Sequence, residues 1–159
     1  MPTSTGSTSN MQRLRAILLL FLLPPFLGAK QQDPAELKAR ADSAHGGERA
    51  KLCLQYAHAE MEHANDLFTK GDVDQAQAAV ASVMDYVRKG TEAATTSGKR
   101  LKQTEIELRE LEKRMKDIAA SLNVEDRPPI FKSVDEIEQL RTGLLTKMFG
   151  EKAEPKSKS

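Results

Sequence analysis

Three observations predict an all-α fold for this chain. It has no tryptophan, few aromatic residues and many Ala, Leu, Glu and Lys residues, a composition that favours helices over sheet. Between residues 48 and 70 its apolar positions recur every three or four residues, which is one helical face. From Val73 to Leu122 a single heptad register holds over about seven heptads, the pattern of a coiled-coil seam. Together they predict an antiparallel helical hairpin over about residues 48–122 with a long heptad-patterned second helix. A C-terminal helix over 133–149 packs back on its distal half, as a bundle or a coiled-coil-like rod.

The first 29 residues stand apart from that fold. Arg13 and Arg15 precede an apolar run of about 14 residues, Ala16 to Ala29. A membrane-spanning helix needs roughly 20, and Pro24-Pro25 would break one. The run closes on Leu27-Gly28-Ala29, with a small residue where a signal peptidase cuts. This layout is that of a secretory signal peptide. It predicts an exported protein, periplasmic or extracellular, whose mature chain begins at Lys30. Leu27 is bulkier than the alanine usual three residues before the cut, so an uncleaved anchor is the alternative. Met11 as the true start would leave a signal of ordinary length. No cysteine follows the run, so no lipoprotein attachment site is present there.

After cleavage, 30–150 forms one helical domain and 151–159, charged and nearly devoid of apolar groups, a disordered tail. All 23 acidic residues lie in the mature chain together with 22 of the 24 basic ones, a net charge of −1. That balance argues against nucleic acid, which calls for a clustered basic patch. Lys99-Arg100-Leu101-Lys102 looks basic, but Glu105, Glu107, Glu110 and Glu112 follow at once and make it a mixed-charge face. The single cysteine, Cys53, allows no internal disulfide, so stability rests on helix packing.

The elements follow in order. Asp33-Pro34 reads as an N-cap with proline at the first helical position, opening a short helix that His45-Gly46-Gly47 ends after about Ala44. In the next helix, about Glu48 to Lys70, Ala50, Cys53, Leu54, Ala57, Met61, Ala64 and Phe68 form the apolar face, widened by Leu52, Tyr56 and Leu67. Gly71 stops it, and Asp72 with Gln75 reads as a capping box for the third helix. The short connection makes the two antiparallel neighbours.

The third helix carries the seam: Val73, Ala76, Val80, Val83, Val87, Gly90, Ala94, Ser97, Leu101, Thr104, Leu108, Leu111, Met115, Ile118 and Leu122. Gly90, Ala94 and Ser97 supply little apolar volume, and Thr95-Thr96-Ser97-Gly98 has poor helix propensity. Burial favours a bend there, because folding the halves together buries more surface. The constant register favours one continuous helix of roughly 75 Å, and it tips the expectation to continuity. A continuous rod would leave part of its seam exposed and would self-associate. Pro128 and Pro129 stop the helix. Ser133 and Glu136 carry a capping-box signature for the last one, with Val134, Ile137, Leu140, Leu144, Leu145 and Met148 on one side and Gly150 closing it.

Phe68-Thr-Lys-Gly71-Asp72-Val-Asp-Gln-Ala76 resembles the inter-helix turn of a tetratricopeptide repeat. A Gly-Asp pair there joins the two helices and a small alanine follows. Ala64 and Leu67 also fall where the family carries a small and a large apolar residue, whereas Glu60 and His63 depart from its pattern. The resemblance covers about residues 50–87, one unit, and a lone unit cannot bury its face as an array does. It implies a helical hairpin of the kind that binds peptides and proteins, and it assigns no binding residue.

Candidate chemistry is sparse. Glu60-Met-Glu-His63 places a carboxylate and an imidazole on one helix face, the spacing used for iron or manganese, with His58 and Glu62 nearby. A di-metal bundle site needs a second such triplet, and the one histidine elsewhere is His45. A solvated face with local ion pairs is the plainer reading of Glu60 and His63. Cys53, on an apolar face, reads as a structural thiol, with an intermolecular disulfide or a reactive thiol as alternatives. No Gly-rich phosphate loop, Ser-His-Asp set or zinc spacing is present. The sequence therefore points to an exported, non-enzymatic interaction or scaffold module. It is expected to have a protein partner or to self-associate, with no cofactor, no nucleic acid and no stable membrane insertion after cleavage. A small metal- or ligand-binding bundle using Glu60 and His63 is the runner-up, and an envelope chaperone the third reading.

Overall fold

The structure, a computed structural model, describes residues 33–150. The signal peptide expected at 1–29 and the disordered tail expected at 151–159 lie outside the described residues. Five α-helices follow one another: α1 (Pro34–Ser43), α2 (Gly46–Thr69), α3 (Val73–Ser97), α4 (Leu101–Ser121) and α5 (Arg127–Phe149). A single 3-10 turn, Val124–Asp126, precedes α5. The all-α fold class and the antiparallel hairpin are as the sequence predicts.

α1 starts as expected, with the Ala35 N–H donating to Asp33 Oδ1 at 2.9 Å and Pro34 in the first turn. Its inner residues Leu37 and Ala41 are buried. At its far end Asp42 accepts from Tyr86 Oη at 2.7 Å and from Lys89 Nζ at 3.2 Å, which ties α1 to α3.

α2 and α3 are joined by a Schellman turn. The Asp72 N–H reaches Leu67 O at 2.9 Å and the Gly71 N–H reaches Phe68 O at 3.0 Å. Gly71 has φ +79°, a left-handed conformation that glycine adopts without a Cβ penalty. The expected capping box is not formed. Gln75 Nε2 bonds Asp72 Oδ2 at 2.6 Å, and no Asp72 side-chain bond caps the helix.

The two helices pack through small residues. A Cβ on Gly90 would lie 3.2 Å from Cys53 Cβ and 3.3 Å from both Ala50 O and Leu54 Cγ. Ala50, Cys53, Ala57 and Ala94 are fully buried around this approach. The stretch that looked empty in the sequence is thus a close helix crossing, and its missing volume is filled by the neighbouring backbone. Further along, the Tyr56 and Tyr86 rings meet at a 55° tilt with centroids 4.4 Å apart.

The expectation of one continuous long helix is corrected. The helix ends at Ser97 and restarts at Leu101. The hydroxyls of Thr91, Thr95 and Ser97 bond back to Val87 O, Thr91 O and Ala93 O at 2.8, 2.8 and 2.6 Å, a pattern that bends helices. Gly98 (φ +65°) and Arg100 (φ +61°) then both take the left-handed conformation and reverse the chain. The register nevertheless holds: every seam position from Val73 to Leu122 is buried or half-buried. A heptad count is blind to a turn of three residues whose flanking helices both face one core. Because the seam is covered within the chain, an exposed seam no longer supplies a reason for self-association.

A second correction concerns the prolines. Pro128 and Pro129 sit in the first turn of α5, where the missing N–H groups cost nothing, so the helix begins at Arg127 rather than at Ser133. Ser133 is inside the helix, with Oγ bonded to Pro129 O at 3.2 Å, and Glu136 pairs with Arg88 rather than with a cap.

Cross-helix pairs fix the directions. Cys53 meets Gly90 and Tyr56 meets Tyr86, so α2 and α3 run antiparallel. Gly47 approaches Lys99 while Glu62 pairs with Arg114, so α2 and α4 run parallel. Glu105 pairs with Arg141 and Lys116 with Glu138, so α5 descends antiparallel to α4. The result is an up-down-up-down bundle of α2 to α5 with α1 added on the α2–α3 side. Leu54, Met61, Leu108, Leu111, Met115, Ile130, Ile137 and Leu144 are the largest fully buried side chains of its core.

One buried hydroxyl among the described residues lacks a partner. Thr104, a seam residue of α4, is buried and its Oγ1 has no hydrogen-bond partner among the described residues. Thr104→Val removes that unsatisfied hydroxyl at nearly constant shape and should stabilise the protein by about 1 kcal/mol, read as a higher urea midpoint at unchanged slope.

Candidate functional site

Glu60 and His63 lie on one face of α2, as their spacing requires. Their side chains are 3.9 Å apart at closest, and His63 is 59% exposed. No group of three His, Cys, Asp or Glu side chains that could hold a metal forms among the described residues. Glu62 is engaged instead with Arg114, at 2.9 and 2.6 Å. His58 is half-buried towards α4; burial lowers its imidazole below the ordinary value, partly offset by Glu107, Glu110 and Glu62. Cys53 is buried, and burial raises its thiol, partly offset by Arg49, which leaves it protonated and unreactive at neutral pH.

The most heavily charged interior group is a network between α4 and α5. Glu105 and Glu112 are 4% and 8% exposed. Arg141 donates to Glu105 Oε1 at 2.9 Å through Nη2 and to Glu112 Oε2 through Nη1. Arg109 bonds both oxygens of Glu105 at 2.9 and 2.8 Å, and Lys116 bonds Glu112 Oε1 at 2.5 Å. Burial would raise both carboxyls, but these cations hold them below the usual carboxylate range. Carboxylates so fully bonded have no free oxygen for acid–base work; the network clamps one helix to the other.

Two surface features remain. A cleft of about 240 Å³ lies where the start of α2 meets the end of α3, lined by His45, Gly46, Arg49, Lys89, Glu92 and Thr96 among others. The second is the outward side of α5. Phe131, Leu145 and Phe149 are 46%, 37% and 63% exposed there. They are separated by 14 and 4 residues, close to about four helical turns and one, so they share one side of the helix. Asp135, Glu138 and Thr142 lie between them and line a shallow depression.

Neither feature was visible in the sequence. Phe131 read as part of the segment before the last helix, and Leu145 as one of its inner residues. Arg49 and Glu92 are 43 residues apart and meet only through the antiparallel packing of α2 on α3.

No helix among the described residues is long and apolar enough to cross a membrane. The architecture and these surfaces define a five-helix bundle with a charged α4–α5 clamp. Comparison with family models, with curated proteins and with solved structures finds no match for the chain.

Proposed function

We propose that the chain is an exported, non-enzymatic helical bundle that binds another protein through the outward side of α5. Phe131, Leu145 and Phe149 carry this reading: these large apolar side chains stay in water on one side of one helix while the core takes almost all the others. Asp135 and Glu138 lie between them, Glu138 already bonded to Lys116 at 3.0 Å. A fitting partner therefore offers a basic centre between apolar contacts spaced over roughly 25 Å, the run of α5 from Phe131 to Phe149. Export rests on the signal-like residues 11–29.

The test compares the tagged mature chain with a Phe131→Lys/Phe149→Lys variant, each crosslinked mildly in its own envelope fraction and read by mass spectrometry. A specific second protein should be recovered with the parent and depleted at least ten-fold with the variant, whose helicity is unchanged. Equal recovery by both, or recovery of the chain alone, overturns the reading. Metal analysis runs in parallel, and a stoichiometric transition metal lost on His63→Ala would replace it with the metal-binding bundle.

A further inference from the structure

The cleft between the start of α2 and the end of α3 holds opposite charges that do not neutralise each other. Arg49 and Glu92 both line it, yet no ion pair joins the two. Arg49 Nε is buried without a hydrogen-bond partner among the described residues; the half-buried side chain sits against the Cys53 thiol and also lines the cleft.

The remaining wall chemistry favours an anion next to Arg49. Gly46 lines the cleft and opens α2, a helix of 24 residues. His45 occupies its N-cap without a side-chain bond to the helix, so the first-turn N–H groups have no side-chain acceptor. The helix dipole adds partial positive charge at that end. Lys89 also lines the cleft but is already committed, to Asp42 at 3.2 Å and to the Tyr86 ring at 4.2 Å. On the α3 wall Glu92 is exposed and forms no ion pair among the described residues, and Thr96 contributes a hydroxyl one turn further on.

We infer that this cleft binds a small zwitterion of the α-amino acid class. Its carboxylate sits against Arg49 and the start of α2, and its ammonium sits against Glu92. A planar guanidinium recognises a carboxylate in a bidentate way. The cleft's 240 Å³ has room for a small molecule such as glycine, alanine or serine. This site lies on α2 and α3 and is independent of the α5 surface.

The test is an amide-shift titration of the mature protein with glycine, and separately with acetate and with methylammonium. Glycine should shift the amides of residues 46–49 and 92–97 saturably, at least ten-fold more tightly than either half-molecule. Arg49→Gln and Glu92→Gln should each weaken glycine at least ten-fold, and Glu92→Gln alters an exposed residue, so its fold is retained. Acetate binding as tightly as glycine would leave only a simple anion site and overturn the inference. Absence of saturation by glycine, or equal binding by the Glu92→Gln variant, overturns it as well.

Discussion

Replacing Arg141 by methionine should destabilise the protein by about 3 kcal/mol, because it strands two buried carboxylates. Arg141 is the one side chain that bonds both Glu105 and Glu112. Its stem, retained in methionine, packs as before, so the loss isolates the charge. The cost falls at the low end for a broken buried pair, since Arg109 still bonds Glu105 and Lys116 still bonds Glu112. The effect depends on pH in a definite direction. In the parent both carboxyls titrate below the usual carboxylate range, burial being outweighed by the cations. Such groups add stability above the unfolded carboxylate values and lose it as pH falls through the lowered folded values. The variant lacks Arg141's share of this contribution at neutral pH and so has less to lose in acid. Urea melts at pH 7 and near pH 3 should therefore show a gap that narrows on acidification. A gap of constant size would mean that Arg141 acts through packing alone.

Gly90→Leu should cost about 3 kcal/mol, the upper end for an overpacked core. The obstacle is backbone as much as side chain. A Cβ at this position already presses on Ala50 O, Cys53 Cβ and Leu54 Cγ, and only the last can turn away. Leucine would force α2 and α3 apart along their whole small-residue contact. Gly90→Ala meets the same atoms with one carbon, and its better helix propensity, worth about 1 kcal/mol, should leave it near neutral. Denaturation followed by circular dichroism separates the cases. A leucine variant as stable as the parent would show that the helices are not in close approach there.

Gly90 also shows where sequence reading works and where it stops. The seam is a statement about which side of a helix faces the core, and side chains follow their own helix axis whatever the chain does between helices. So the seam positions, the Gly71 turn and the Asp33-Pro34 start were all legible. The value of a small residue depends on what stands opposite it, and Ala50, Cys53 and Leu54 are some 40 residues away in sequence. The break at Ser97 needed knowledge that three hydroxyls bend the helix and that Arg100 accepts a positive φ beside Gly98. At α5, Pro128-Pro129 carried two meanings, stop and start, and the sequence favoured the first. The site residues were the least legible. Glu60 and His63 are chemically suggestive neighbours that converge with no third ligand among the described residues. Arg49 with Glu92 and the outward side of α5 are products of packing, and no local pattern announces them.

The reversal at Gly98–Arg100 decides whether the seam is covered within the chain, and small-angle scattering of the mature protein reads it directly. A closed bundle of about 130 residues has a radius of gyration near 14 Å, slightly more with a tail, independent of concentration. A continuous helix of about 75 Å would raise that to about 22 Å or more and would grow with concentration as exposed seams paired. The smaller, constant value is the expected result, and the larger one would contradict the closed bundle.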